Sequence, residues 1–374
     1  MKILFLSQSQ RSTQLAADPS VRYRCFHLAE ELRRQGCLAD ICHMDAFEPE
    51  FARRYDVFVF HRPRIDKGFA RARSIIADAG RLAIADFDDL IFDVAAAHAS
   101  PQILSRNASL FSVSRQHAKA FKALETFDHV TVSTQPLTDR ARALLPHAKI
   151  EIVPNGLSAR WCQYGWERTR GIRPGRIVGY FPGTSSHNHD FPVVEDALRA
   201  FLDQHRDFHF LVVGPLKFKS DLFPTERVKH LPPVPYYELP AVIAGCWCTI
   251  APLADTPFNR CKSGLKFFES AAWGVPVAGT PSRTCASTRT AARNSRLIQR
   301  SGRKPWPPWL GQISDRNFQP GDAPGPRTPA WPIPRPPFGL KPSPRGARTH
   351  EGRAPVQHLA PGSRVGEAVP GQSL

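Results

Sequence analysis

The chain is 374 residues long and carries 50 Lys+Arg against 33 Asp+Glu, a formal net charge of +17 at pH 7; that length suits about two domains. The excess is uneven, because residues 282–374 hold 15 basic and 4 acidic side chains and 16 of the 36 prolines. Such a tail cannot bury enough apolar surface to offset its ordering entropy, which excludes it from the globular body expected over residues 1–281.

No stretch reaches the ~20 apolar residues of a membrane helix, and the run Ile3 to Leu6 is too short for a signal peptide. The eight cysteines show no metal-ligand spacing. Cys246 and Cys248 lack a second pair and read as buried thiols, which suits a reducing cytoplasm.

Lys2 to Ser7 reads as a buried parallel strand. After a polar loop through Pro19 and Ser20, Val21 to Gln35 has a helical apolar pattern that Gly36 stops. Strands are predicted at Leu38–His43 and Asp56–Phe60, then a helix at Phe69–Ala79 closed by Gly80, and a strand at Arg81–Ala85. A helix near Gln116–Thr126, a strand at His129–Ser133, a helix at Leu137–Leu145 and a strand at Ile150–Val153 complete the first half. This alternation argues for a doubly wound parallel sheet.

Residues 157–175 are polar, aromatic and punctuated by Gly and Pro, and read as a linker. The alternation restarts with strand Arg176–Phe181, helix Phe191–Gln204 and strand His209–Gly214. Helix Tyr237–Ala244, strand Cys248–Ala251, a helix over about Gly264–Trp273 and strand Val275–Ala278 follow. The expected fold class is α/β with two Rossmann-like domains. The first covers 1–156 and the second, incomplete, 176–281, followed by a disordered tail at 282–374.

Five segments are similar to one known family. They are Ile152-Val-Pro-Asn-Gly156, Ile177-Val-Gly-Tyr-Phe-Pro-Gly-Thr184, Phe210-Leu-Val-Val-Gly214, Ile250-Ala-Pro-Leu253 and Lys262 to Val277 (KSGLKFFESAAWGVPV). In this order and spacing they resemble the retaining glycosyltransferases of the GT-B fold, in the group-1 (family 4) superfamily, over about residues 1–281. The resemblance implies a nucleotide-sugar donor on the second domain and an acceptor, a glycan or a lipid-linked one, on the first. It implies sugar transfer with retention, in bacterial cell-surface polysaccharide or glycolipid synthesis, with no bound metal and no further cofactor. The scattered cysteines and the lack of a signal or membrane run suit a cytoplasmic protein, either free or peripheral at the inner face of the membrane, and no nucleic acid partner is expected.

The family's Glu-x7-Glu motif is half present. Its second acid falls on Glu269, implied to accept hydrogen bonds from the donor ribose diol; its first falls on Cys261. Gly264 and Leu265 match the backbone amides that meet the diphosphate. The family's cationic positions after the first strand of the second domain fall near Gly183 and His189. Lys262 and Lys266 can supply positive charge from the facing loop. The bland alternatives are a solvated helix carboxylate for Glu269 and first-turn surface charges for the lysines.

In the first domain, Asp86-x-Asp88 matches the metal–nucleotide motif of the other glycosyltransferase fold, GT-A. Its place at the end of a strand in a first Rossmann half argues against that use. Asp88 or Asp89 takes the place of a family His near the transferred sugar, or else caps a helix. Arg22 or Arg24 suits a donor phosphate or an anionic acceptor, or else is a surface charge; His61 and Arg62 are weaker candidates of the same kind.

From Ser282 the composition is rich in Arg, Pro, Gly and Ala. It reads either as a basic tail for nucleic acid or an anionic membrane, or as a reading-frame slip in a GC-rich gene, which its abruptness favours. The rival readings are a non-catalytic remnant of such an enzyme and a nucleic-acid binder acting through the tail.

Overall fold

The computed structural model describes residues 1–218 and 222–280. The disordered or frame-shifted tail expected at 282–374, and the place where the second domain is expected to break off, lie outside the described residues. Among these residues no helix is long and apolar enough to cross a membrane.

The first sheet has six parallel strands: β1 (Lys2–Ser7), β2 (Leu38–His43), β3 (Val57–His61), β4 (Leu82–Phe87), β5 (His129–Val132) and β6 (Lys149–Ile152), in the order β2-β1-β3-β4-β5-β6. Between β1 and β2 run α1 (Pro19–Val21), a π turn (Arg22–Phe26) and α2 (His27–Arg34), a continuous helical path stopped by Gly36 at φ 82°. Then come α3 (Phe51–Arg54), α4 (Lys67–Asp78), α5 (Pro101–Leu104), α6 (Leu110–Leu124) and α7 (Gln135–Leu144). Alternation along the strands splits the core into two layers. Leu4, Leu6, Phe58 and Phe60 pack with Phe69 and Phe127 on one face, and Ile3, Phe5, Val57 and Ile84 with Val21, Cys25 and Ala29 on the other. Strands buried on both faces need the near-continuous apolar runs seen in β1 and β3.

The second sheet has five parallel strands: β7 (Ile177–Tyr180), β8 (His209–Val213), β9 (Val228–Leu231), β10 (Cys248–Ala251) and β11 (Val277–Gly279), in the order β11-β10-β7-β8-β9. The chain order reverses beside β7, as in doubly wound sheets. Its helices are α8 (Ala159–Thr169), which precedes β7, then α9 (Glu195–Gln204), α10 (Leu239–Ala244) and α11 (Leu265–Ala271). The α/β class with two Rossmann-like sheets is therefore as expected, and both sheets belong to one compact unit.

Three local expectations fail. The stretch read as a linker contains α8, capped by Ser158, whose Oγ accepts from the Trp161 amide (3.0 Å). Trp161 is 0% exposed and stacks on Tyr236 at 4.9 Å. Its aromatics pack on a distant segment, so local polarity misleads. Strand β9 goes unread because it is an edge strand with exposed Lys229 and His230, as edges commonly are. The helix expected from Phe191 begins instead with a 3-10 turn, Phe191–Val193, with Pro192 at its start, and turns α-helical only at Glu195.

Candidate functional site

Segments after the strands of the first sheet meet the loops of the second directly. Thr134 Oγ1 donates to the Cys261 carbonyl (2.9 Å) and Asn155 Nδ2 to Ser263 Oγ (2.9 Å). Phe258 and Cys261 are buried in the core of the first sheet. The chain is thus anchored on one sheet immediately before Lys262, and α11 starts from that anchor. Cys261, where the resemblance read in the sequence expects an acid, serves here as packing; burial pushes its thiol up to about 11.

On the first sheet, four residues at strand ends and the start of α1 form a connected polar chain. Ser7 Oγ lies 3.3 Å from His61 Nδ1, and His61 Nε2 lies 2.8 Å from Ser20 Oγ. Ser20 Oγ donates to the Asp88 carboxylate (2.9 Å). With the Ser20 hydroxyl proton directed at Asp88, His61 donates from Nε2 and accepts from Ser7 at Nδ1, a neutral tautomer. Burial pushes the His61 imidazole down to about 4, against the pull of Asp88.

Arg62 completes this group. Its backbone is left-handed at φ 49°, with its amide donating to the Asp86 carbonyl (2.8 Å). That uncommon conformation for a residue with a side chain goes with a guanidinium that reaches Asp88 from Nε (2.6 Å) and Asp89 from Nη2 (2.6 Å). Burial opposes ionisation of Asp88, but Arg62 and His61 outweigh it and hold the carboxyl well below the usual range. The Asp88 side chain is 9% exposed and that of Asp89 24%, so Asp89 is the more accessible of the two. Both are ion-paired rather than simple helix caps.

Arg24 is not available to a ligand. It is 0% exposed, gives Nε to Asp86 Oδ2 (2.9 Å) and Nη2 to Asp86 Oδ1, and gives Nη1 to Asn155 Oδ1 (3.0 Å) and the Val153 carbonyl. Thr131 Oγ1 donates to Asp86 as well (2.6 Å). The expectation that Arg24 meets a phosphate fails because the first sheet's core needs it to neutralise Asp86. Asp86 and Asp88 are consequently tied to different guanidiniums. Arg22 instead lies over the Tyr236 ring at 4.1 Å.

From the second sheet, Lys262, Lys266 and Glu269 come together at α11, all half-buried. Tyr23 of the π turn donates its phenol to Glu269 Oε1. Burial raises the Glu269 carboxyl, opposed by the Tyr23 hydrogen bond, Lys266 and Arg22. Lys262 Nζ lies over the Phe258 ring at 5.3 Å. Burial and then the neighbouring Lys262 push Lys266 down to about 8, while Glu269, Asp190 and Asp89 oppose the shift. Asp89 of the first sheet therefore lies within electrostatic reach of Lys266 of the second. Gly264 has φ −76°, open to any residue, so its backbone angle does not demand glycine.

The loop after β7 places the histidines differently from expectation. His187 Nε2 lies 3.2 Å from Lys266 Nζ, and His187 Nδ1 lies 2.8 Å from Asp190 Oδ2. His189 instead lines an open cavity of about 610 Å³ with Ser105, Arg106 and Val193. Both residues belong to the 3-10 turn Ser185–His189, and they have different neighbours. Gly183 is exposed at φ 66°, a conformation that favours glycine, although a Cβ at this position would meet nothing within 4 Å. Sequence does not single out Tyr23, Ser20, His187 or Asp190; only the His-x-x-Asp spacing of 187 and 190 offers a local signal.

A scan against protein-family models and a search of curated proteins return no match. Solved structures do resemble the chain. WaaG, a glycosyltransferase involved in lipopolysaccharide biosynthesis, is 13% identical, with 78% of this chain and 84% of that one covered and a TM-score of 0.48. Sucrose-phosphate synthase from Thermosynechococcus elongatus is 13% identical over 75% and 82%, with a TM-score of 0.47. UDP-GlcNAc 2-epimerase from Methanocaldococcus jannaschii is 10% identical over 78% and 88%, with a TM-score of 0.42.

Proposed function

We propose that the chain is a retaining glycosyltransferase, moving a sugar from a nucleotide-sugar donor to a glycan or lipid-linked acceptor. The observation that carries this reading is the gathering of Lys262, Lys266 and Glu269 on one segment at α11, with Asp89, which pairs with Arg62 at the end of β4, close enough to act on Lys266 electrostatically. Cations and an acid on one short segment suit a nucleoside diphosphate, and a carboxylate across the cleft suits a sugar that develops positive charge.

In this reading the diphosphate lies against Lys262, Lys266 and the backbone amides of Gly264 and Leu265, which start α11 without intrahelical partners. Charge builds on the diphosphate as the glycosidic bond breaks, and fixed cations in a poorly solvated cleft stabilise it most at that point. Glu269 accepts from the ribose hydroxyls through the carboxylate oxygen that Tyr23 leaves open. Asp89 faces the transferred sugar and stabilises its oxocarbenium-like centre. Asp88, held ionised by Arg62 and Ser20, anchors the Arg62 guanidinium rather than giving or taking a proton. The protein works in the cytoplasm, free or at the inner face of the membrane, and feeds cell-surface polysaccharide or glycolipid synthesis.

The test is calorimetry of the full chain with UDP, GDP, ADP and dTDP, followed by product analysis with the matching nucleotide sugars. Binding of one diphosphate and release of a sugar, or its transfer with the donor's anomeric configuration, support the reading. Conversion of the donor to its epimer without release points to isomerisation instead. No binding by any of the four overturns the site.

A further inference from the structure

Asp190, His187 and Lys266 form a hydrogen-bonded chain that the donor site does not by itself require. Asp190 is buried, and both its oxygens are held: Oδ1 accepts from the Ala254 amide (3.0 Å) and Asn259 Nδ2 (2.7 Å), and Oδ2 faces His187 Nδ1 (2.8 Å). An ionised Asp190 accepts only, so Nδ1 carries the imidazole proton and Nε2 presents its lone pair. That lone pair faces the Lys266 ammonium at 3.2 Å. We infer that His187, oriented by Asp190, is a positioning residue that aims the Lys266 ammonium at the anionic part of the donor.

The inference rests on the reading that Lys266 meets the diphosphate. An ammonium has three donors; one spent on His187 fixes its direction and leaves two for a ligand. The groups facing Lys266 are Lys262 and Glu269 from its own segment, His187 and Asp190 from the loop after β7, and Asp89 from the first sheet. Burial, with Lys266 and Lys262 nearby, pushes His187 down to about 3, which keeps it neutral and able to accept. A charged imidazole could not accept from an ammonium, so the chain works only with this order of protons.

A double-mutant cycle on full-length protein tests it, read by calorimetry with UDP, GDP, ADP and dTDP and with the corresponding nucleosides. His187→Leu is expected to weaken the diphosphate that binds by about tenfold and leave its nucleoside unchanged, the size of a lost charged-group orientation. His187→Gln, which can accept through its amide oxygen, is expected to restore most of that loss. In a Lys266→Met background, His187→Leu is expected to add nothing. Additive losses, equal loss for the nucleoside, or no loss from His187→Leu overturn the positioning role alone. Lys266→Met with undiminished diphosphate binding, or no binding by wild type, overturns the donor reading together with the inference.

Discussion

Tyr23, in the π turn that packs on the first sheet, and Glu269, in α11 beside the second, are 246 residues apart, yet the phenol of one donates to the carboxylate of the other. This bond holds the acid of the α11 motif from the first sheet's side, so the carboxylate proposed to bind the donor also links segments of the two sheets. Tyr23→Phe removes the donor and leaves a half-buried carboxylate with less support, a cost of ~1–3 kcal/mol at pH 7. The Tyr23 hydrogen bond sets the sign: it favours the ionised form of a carboxyl that burial raises, so the cost of losing it grows as pH rises and Glu269 ionises. Urea unfolding of both proteins should show a larger difference at pH 7 than at pH 5. An equal difference at both would mean the phenol does not stabilise the ionised acid.

Arg24 and Asp86 make the clearest distinction between a structural and a ligand-binding cation. Arg24→Met strands Asp86 in the core with only Thr131, and breaking a buried pair from one side typically costs about 3–5 kcal/mol. Thermal unfolding should therefore show a large loss of stability. Unchanged stability with weakened anion binding would restore the role expected from sequence.

His61 is buried and neutral, with its imidazole pushed down to about 4. Because the unfolded chain protonates its histidines from about pH 6.5, stability attributable to this group is present above that pH. It is lost as pH falls toward about 4, by roughly 3 kcal/mol in all. His61→Gln should flatten the acid limb of a stability–pH curve measured by urea unfolding. A limb of unchanged steepness would mean that His61 is accessible to protonation in the fold.

Lys266 gives the opposite limb in binding. Its ammonium is pushed down to about 8 by burial and Lys262, so its charge disappears as pH rises through that value. Affinity for a nucleoside diphosphate should fall between pH 7 and pH 9, and Lys266→Arg should remove that fall, because a guanidinium stays charged. A flat wild-type profile would show that Lys266 contributes no charge to the ligand.

Legibility in the sequence divides by range of interaction. The apolar runs of β1, β3 and β8 announce doubly buried strands, and Gly36 and Gly80 mark helix ends at positive φ. Lys262, Lys266 and Glu269 share one local segment, so a motif finds them together. Helix α8 escapes notice because its stability lies in Trp161 packing on Tyr236, 75 residues on. The Arg24–Asp86 pair spans 62 positions and Lys266–His187 spans 79. Spacing within a segment cannot say which distant partner consumes a charge, and so Arg24 suits a ligand in the sequence while His187, which meets Lys266, draws no notice beside His189. Asp88 and Asp89 cannot be separated locally either; the left-handed turn at Arg62, which pairs with both, distinguishes their environments.

In the proposed reading, α11 with its own Lys266 and the preceding Lys262 forms a nucleotide-sugar site whose acid, Glu269, holds the donor's ribose. Calorimetric affinity of wild type and Glu269→Ala for the nucleoside diphosphate that binds, from the UDP, GDP, ADP and dTDP set, tests this most directly. Measurable binding by wild type and a loss of ~1–3 kcal/mol in the variant are expected, as for charge-assisted hydrogen bonds removed from a ligand. Equal affinity in the two proteins, with both shown to be folded, would contradict it.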